Sequence, residues 1–323
     1  FVSLYNHQIP PGGADLVHYE LQVPQGLEGE LEVSISLNYR KFDTRLMRHV
    51  EGESFVRNEL PITVISTDSV VFPIGAEGGF VEREPRDIPE WVRWNDYGIG
   101  ALRKPKNRQL RQATEAFARV EALGHGAGAL NLARVYLQEG RLTEATEALR
   151  RATDHPNPPP PWSLAWFGAQ VLFQEGRYEL AIDAMIALAK TQFPEARERG
   201  FDFSRDYRLL NQLGLAYMEW SDQLLDEART GALEQARDWL TRSLIQDPEN
   251  VTAHYNLAQV YRRLGDEASA DYHASEHERY RVDDNARDRA VAIARRNDAA
   301  ADFAADPVVI YPLTPSRPVA YEP

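Results

Sequence analysis

The stretch Leu132-Ala133-x-x-Tyr136-x-x-x-Gly140-x-x-x-x-Ala145-x-x-x-Leu149-x-x-Ala152 returns further along the chain as Leu257-Ala258-x-x-Tyr261-x-x-x-Gly265-x-x-x-x-Ala270. Apolar and small residues three or four apart mark one face of a helix, and a glycine between two such runs marks a break. Each copy therefore reads as two helices joined by a turn, and self-similarity at a fixed spacing is the signature of a stacked array. Two weaker copies stand between them. One has Gly176, Ala181, Met185 and Leu188, followed by Pro194; the other has Leu213-Gly214-x-x-Tyr217, then Ala236, Leu240, Ser243 and Pro248. Tyr217 and Ala236 are 19 residues apart where the strong copies have 9, so ten extra residues fall between the two helices, as longer helices or a protruding loop. A divergent first copy has Trp94, Gly98, Ala113 and Phe117.

Before residue 90 the texture is different. Leu31, Val33, Ile35, Leu37 and Tyr39 alternate with Glu32, Ser34, Ser36 and Asn38, the period-2 pattern of a half-buried strand. Val17 to Val23 reads as a second strand and Ile62 to Phe72 as one or two more, with Pro10-Pro11-Gly12-Gly13, Pro24-Gln25-Gly26 and Gly75 to Gly79 as turns. About 90 residues with few strands suggest a small antiparallel β-sandwich.

The repeated residues resemble the tetratricopeptide repeat, a helix–turn–helix unit of about 34 residues whose small side chains let two helices touch while large ones fill the next groove. The resemblance implies a mainly α chain: a tetratricopeptide-type solenoid of about five helical hairpins over residues 91–284. A β-sandwich-like domain at 1–85 and a Pro- and charge-rich linker at 86–90 precede it. A capping helix within 285–303 follows, running from Ala286 to Arg296 after an Asp283-Asp284-Asn285 cap. Its apolar face (Ala290, Val291, Ile293, Ala294) is expected to cover the last repeat, and residues 304–323 form an extended tail whose edge strand near Val308 to Leu313 could return to the sandwich or pair with a partner.

Composition narrows the chemistry. The 323 residues include 49 acidic and 36 basic ones, and no run approaches a membrane span, so neither a phosphate-tracking nucleic-acid binder nor a membrane-spanning chain is expected. Residues 1–90 hold 15 acidic and 7 basic residues, a net of −8, leaving −5 for the other 233. Cysteine is absent, which excludes disulfides, thiolate nucleophiles, Cys-ligated zinc and covalently attached haem on this chain. The chain begins at Phe1, as a processed or cut-out polypeptide would.

A wider resemblance rests on Tyr5-Asn6-His7-Gln8-Ile9-Pro10-Pro11-Gly12, His18-Tyr19, Leu37-Asn38-Tyr39-Arg40-Lys41-Phe42 and Trp94-Asn95-Asp96-Tyr97-Gly98-Ile99-Gly100. It extends to Arg199-Gly200-Phe201-Asp202-Phe203 and Asp284-Asn285-Ala286-Arg287-Asp288-Arg289-Ala290. These stretches are similar to the repeat-containing C-terminal regions of bacterial proteins whose N-terminal parts are multihaem c-type cytochromes. The resemblance implies a periplasmic or extracellular location and a multihaem cytochrome partner. There is no Cys-x-x-Cys-His here, so any haem belongs to another chain or a removed portion. His7, in its proline-rich loop, is the residue expected to reach a partner's haem, against the commoner role of a structural histidine; His18 and His49 read as structural.

Other motifs are weaker. His273-Ala274-Ser275-Glu276-His277 spells H-x-x-E-H, whose histidines share one helix face, but spacing suggests no third ligand, and packing or solvent is the expected role. No phosphate loop, nucleophile elbow or acid–base carboxylate pair appears, and neither a cofactor nor a metal site is expected. Pro156 to Pro161, with four consecutive prolines, could dock in an aromatic-lined groove as polyproline II but reads as a stiff connection between repeats, and Trp162, Trp166, Phe167, Tyr136 and Tyr261 read as core.

In an array of this kind the first helices of successive repeats line a concave groove. Asn131 and Arg134 in one strong copy correspond to Asn256 and Gln259 in the other, with Arg263 nearby. Amide and guanidinium groups there can hold an extended peptide's backbone or carboxylate, or the asparagines can merely organise the repeat. The leading function class is a non-catalytic scaffold docking a multihaem cytochrome. A peptide-binding assembly factor or co-chaperone for exported proteins follows, and a zinc hydrolase comes last.

Overall fold

The structure, a computed structural model, describes residues 9–75, 81–82, 87–104, 109–298 and 310–313. The chain divides into two units, Phe1–His18 with Glu90–Ile310, and Tyr19–Pro89 with Tyr311–Pro323. No described helix is long and apolar enough to cross a membrane.

The strand-like N-terminal sequence forms β1 (His18–Leu21), β2 (Gly29–Tyr39), a helix α1 (Thr44–Glu51), β3 (Thr63–Ile74) and β4 (Val81–Glu82). Asp43 caps α1 by accepting the Leu46 N–H at 2.7 Å. The sheet order is β2-β3-β4, antiparallel throughout, so among the described residues β2 is an edge strand. Register pairs Leu31 with Phe72, Val33 with Val70 and Ser34 with Ser69, and shifts at a bulge between Leu37 and Asn38. Alternation therefore works as expected, and a small antiparallel sheet precedes the helices. Among the described residues this sheet is a single layer in which only Val71 is a buried apolar residue. The segment read as a further strand, around His18–Leu21, pairs with β5 (Ile310–Leu313) from the C-terminal tail.

From Glu90 the helical period produces five antiparallel pairs. They are α2 (Glu90–Arg103) with α3 (Leu110–Ala122), α4 (Gly126–Glu139) with α5 (Leu142–Thr153), and α6 (Pro161–Gln174) with α7 (Tyr178–Lys190). After a short α8 (Pro194–Glu198) come α9 (Tyr207–Ser221) with α10 (Asp226–Gln246), α11 (Val251–Leu264) with α12 (Glu267–Tyr280), and finally α13 (Asp284–Arg296). Gly140 (φ 71°) and Gly265 (φ 81°) end α4 and α11 in the left-handed region, which only glycine enters without strain. The proline run connects α5 to α6, with Pro161 opening the helix where its missing N–H costs nothing. The ten extra residues lengthen a helix rather than forming a large loop: α10 has 21 residues where α5 has 12 and α12 has 14, and a four-residue turn replaces the usual two.

Small residues let the helices approach. A Cβ on Gly214 would lie 2.4 Å from Leu240 Cγ, and one on Gly128 would lie 2.3 Å from the Glu121 backbone nitrogen. Three apolar clusters follow one another along the array: one around Phe117, Ala133 and Leu149, one around Met185, Leu209 and Leu213, and one around Leu240, Leu257 and Val260. This is the nearest-neighbour organisation of a solenoid.

The N-terminal end departs from expectation. Residues 13–18, read with the strands, are strapped to the first hairpin. Lys104 Nζ, almost fully buried, lies 2.9 Å from Asp15 Oδ1 and donates to the Leu16 carbonyl at 2.6 Å, and Arg103 donates to the Ala14 carbonyl. Leu16 packs on the first cluster, beside Gly100. At the other end α13 forms behind its Asp283 cap, with Val291 and Ala294 of its apolar face partly buried and none of its residues fully so. Apart from Ala270, no residue of α12 is fully buried either.

Candidate partner-binding groove

Contacts link α2 to α4, α4 to α6 and α9 to α11, so first helices neighbour first helices as a groove requires. Asn131 on α4 is 5% exposed. Its Nδ2 donates to Asn95 Oδ1 on α2 at 2.9 Å, and its Oδ1 accepts from Arg134 at 2.8 Å. This asparagine therefore ties two repeats together and, through the same amide, aims the arginine.

Arg134 sits 5.4 Å over the Phe167 ring of α6. No carboxylate among the described residues pairs with it, although Arg119, Arg141, Arg150 and Arg151 on neighbouring helices and turns all have carboxylate partners. Burial lowers the guanidinium below its ordinary pKa, with no opposing charge to offset the effect. Guanidinium is basic enough that Arg134 remains a cation even so. Together with Leu137, Gln138, Trp166, Phe167, Gln170 and Gln174 it lines an open pocket of about 270 Å³. The Nε2 of Gln170 is buried there without a hydrogen-bond partner. An unpaired half-buried cation and an unmet donor in one pocket both call for an acceptor, and each costs free energy while it lacks one. The volume lies just under the usual range for small-molecule sites and suits a side chain or a few atoms of peptide.

The other expected groove residues do not join this site. Asn256 is buried in α11 and Gln259 is half-buried on the same helix, three hairpins away in sequence order from α4. Arg263 is engaged elsewhere: it donates to the Met218 carbonyl at 3.2 Å and pairs with Asp222 at 3.1 Å, clamping α11 to the end of α9. His7 lies outside the described residues. Phe167 and Trp166, read as core, are only partly buried and line the pocket. The signal that could have found it is the pair of polar rows, Arg134 with Gln138 and Gln170 with Gln174, each i,i+4 on a first helix.

The H-x-x-E-H residues face inward. His273 Nδ1 lies 2.9 Å from His254 Nδ1 and its ring stacks on Tyr261, while His277 Nδ1 lies 3.1 Å from the Val251 carbonyl. Among the described residues no group of three or more His, Asp or Glu side chains converges as metal ligands would.

The profile of the tetratricopeptide repeat family matches residues 106–160, 130–197 and 222–272. The fold is thus a tetratricopeptide-type α-solenoid with a small antiparallel sheet before it. Solved structures with a similar arrangement include MamA AMB-1 (22% identity, TM-score 0.41, 59% of this chain and 98% of that one). Two others are MamA 41-end from Desulfovibrio magneticus RS-1 (18%, 0.44, 59% and 94%) and the MamA RS-1 ArsTM double mutant (16%, 0.45, 65% and 97%). No curated protein matches the sequence.

Proposed function

We propose that this chain is a non-catalytic protein-interaction scaffold whose groove between α4 and α6 holds an extended, carboxylate-bearing segment of a protein partner. The observation that carries the reading is Arg134: a half-buried cation with no carboxylate partner among the described residues, oriented by Asn131 and beside the unmet Gln170 donor. A carboxylate would supply two acceptors in the fork geometry that guanidinium favours. The partner we propose is a multihaem c-type cytochrome in a periplasmic or extracellular electron-transfer assembly, a reading supported by the motif resemblance around Tyr5 to Gly12 and Trp94 to Gly100. The same pocket also favours a second reading, a peptide-binding assembly factor or co-chaperone for exported proteins.

Native purification separates the two. Red, haem-bearing chains that co-isolate in fixed ratio support the cytochrome partner, whereas a spread of unfolded exported chains supports the second reading. The pocket itself is tested with a fluorescent acidic peptide and its amidated, neutral counterpart. Arg134→Met keeps the stem on Phe167 and removes the charge, and it is expected to weaken acidic-peptide binding about 10- to 100-fold, the range of a charge-assisted contact. Arg134→Lys should recover part of the loss. Equal binding of both peptides by the native chain would refute the pocket's role.

A further inference from the structure

The antiparallel pair β2–β3 ends at Tyr39 and Thr63, a junction that a turn of about two to five residues suffices to close. Residues 40–62 close it instead, and a connection of that length usually carries a function. The excursion holds its own shape. Asn58 Nδ2 donates to the Phe42 carbonyl at 3.0 Å, tying its two arms together. Beyond the capped helix α1, Ser54 Oγ donates to the Glu51 carbonyl at 2.7 Å. Within its unit, among the described elements, only the turn Gly52–Ser54 packs closely on α1, and none of the helix's residues is buried.

Apolar and cationic side chains share this excursion. At 3.6 residues per turn Leu46, Met47 and Val50 fall within an arc of about 100°. Leu46 is 39% and Val50 69% exposed, and Phe42 (41%) and Val56 (89%) flank the helix in sequence. Arg40, Lys41 and Arg48 have no carboxylate partner among the described residues. Lys41 Nζ lies 5.3 Å over the Phe42 ring, Arg48 lies 5.3 Å over the Phe55 ring, and the Arg40 Nε is buried without a hydrogen-bond partner. Arg45 and His49, which have partners of their own, lie on the arc away from Leu46 and Val50. Asp43 is occupied as the helix cap and Glu59 by Arg57, while Glu51 and Glu53 come only at the C-terminal end of α1.

We propose that this excursion is a peripheral membrane contact. Helix α1 lies in the surface of an anionic bilayer, with Phe42, Leu46 and Val50 among the acyl chains and Arg40, Lys41 and Arg48 at the headgroup phosphates. Basic side chains snorkel in this way, their stems along apolar surface and their charges at the polar boundary. Charge complementarity selects the occupant: cations without carboxylates call for anions, and the apolar residues beside them call for an apolar layer at the same depth. A protein groove reads a helix through anchors at i, i+4 and i+7, and Leu46 has no i+7 counterpart on α1. A fluid surface needs no such match. The acidic excess elsewhere on the chain is screened beyond about 10 Å.

Flotation of the full chain with lipid vesicles tests this. Phosphatidylcholine vesicles with about 30% phosphatidylglycerol are expected to bind it at least tenfold more tightly than pure phosphatidylcholine vesicles. Lys41→Gln and Arg48→Gln should each weaken that binding about fivefold, and Leu46→Ser with Val50→Ser about tenfold or more. All four side chains are exposed, and circular dichroism checks that each variant folds. The chain has no cysteine, so Val50→Cys gives a single attachment point for an environment-sensitive dye. Its emission should shift to the blue on the anionic vesicles, and that of a dye on Glu234→Cys in α10 should not. No flotation, equal binding to both vesicles, an unshifted dye on Val50→Cys, or variants that bind like the native chain would each overturn the proposal. If the vesicles fail and the same variants lose a protein that co-isolates with the native chain, α1 docks a protein and the membrane contact is refuted.

Discussion

The His254 and His273 rings show how a single hydrogen bond assigns protonation. The Pro248 carbonyl, 3.0 Å from His254 Nε2, can only accept, so that nitrogen carries the proton. In neutral His254 the Nδ1 is then an acceptor, and His273 donates to it from its own Nδ1 at 2.9 Å. Protonating both rings would set two donors face to face. The pKa of His273 is lowered, first by desolvation and then by His254, with Glu276 opposing more weakly; desolvation lowers that of His125 as well. The unfolded chain, with histidine near about 6.5, therefore binds more protons than the native one as pH falls. Stability is full above that value and is lost progressively as pH drops through it toward the lower native values. The melting temperature should consequently fall between about pH 7.5 and about pH 5.5. His273→Gln should remove part of that fall, and an identical pH profile in the variant would show that the pair is not responsible.

At the scale of the element, two glycines in helices make opposite predictions. Gly128 sits where α4 crosses α3, with the Glu121 nitrogen 2.3 Å and the Phe117 carbonyl oxygen 2.7 Å from an added Cβ. Both obstacles are backbone, so a methyl group must push two helices apart. Gly128→Ala is expected to destabilise by about 1–3 kcal/mol, the range for overpacking. Gly231, inside α10, has nothing within 4 Å of its Cβ position and no left-handed φ to protect. Gly231→Ala should stabilise by about 0.5–1 kcal/mol through helix propensity alone. Urea midpoints at unchanged slope measure both. The extended α10 belongs to the same scale. Its additional residues continue the helix because Ala228, Ala232, Leu233 and Ala236 keep helical spacing, with Ala232, Leu233 and Ala236 buried.

Across the whole molecule, stability is unevenly distributed. The helical unit holds three apolar clusters, whereas in the strand unit Val71 is the only buried apolar residue described and Ile35, Val56, Ile62 and Val64 are exposed. Local stability follows buried apolar contact, so the strand unit should open first. Calorimetry is expected to give two transitions. Amides of β2 and β3 should exchange faster than those of α4. A single cooperative transition with uniform exchange would contradict this distribution.

The amino-acid sequence by itself determined the number and order of the hairpins, because each is decided locally: period, small-to-large alternation and a left-handed glycine lie within one repeat. It also specified β2 and its two faces through strict alternation. What covers a face, or what pairs with a charge, depends on residues far away in sequence, and only the tertiary structure decided it. Arg134 and Arg263 look alike as groove residues, yet Asp222, 41 positions away, claims Arg263 while no described carboxylate reaches Arg134. Phe167 and Trp166 have the spacing of core residues and become a pocket wall because α4 opposite them carries an arginine and a glutamine. The tail strand, whose partner its own sequence left open, pairs through Ile310–Leu313 with His18–Leu21, a long-range choice that no local pattern encodes.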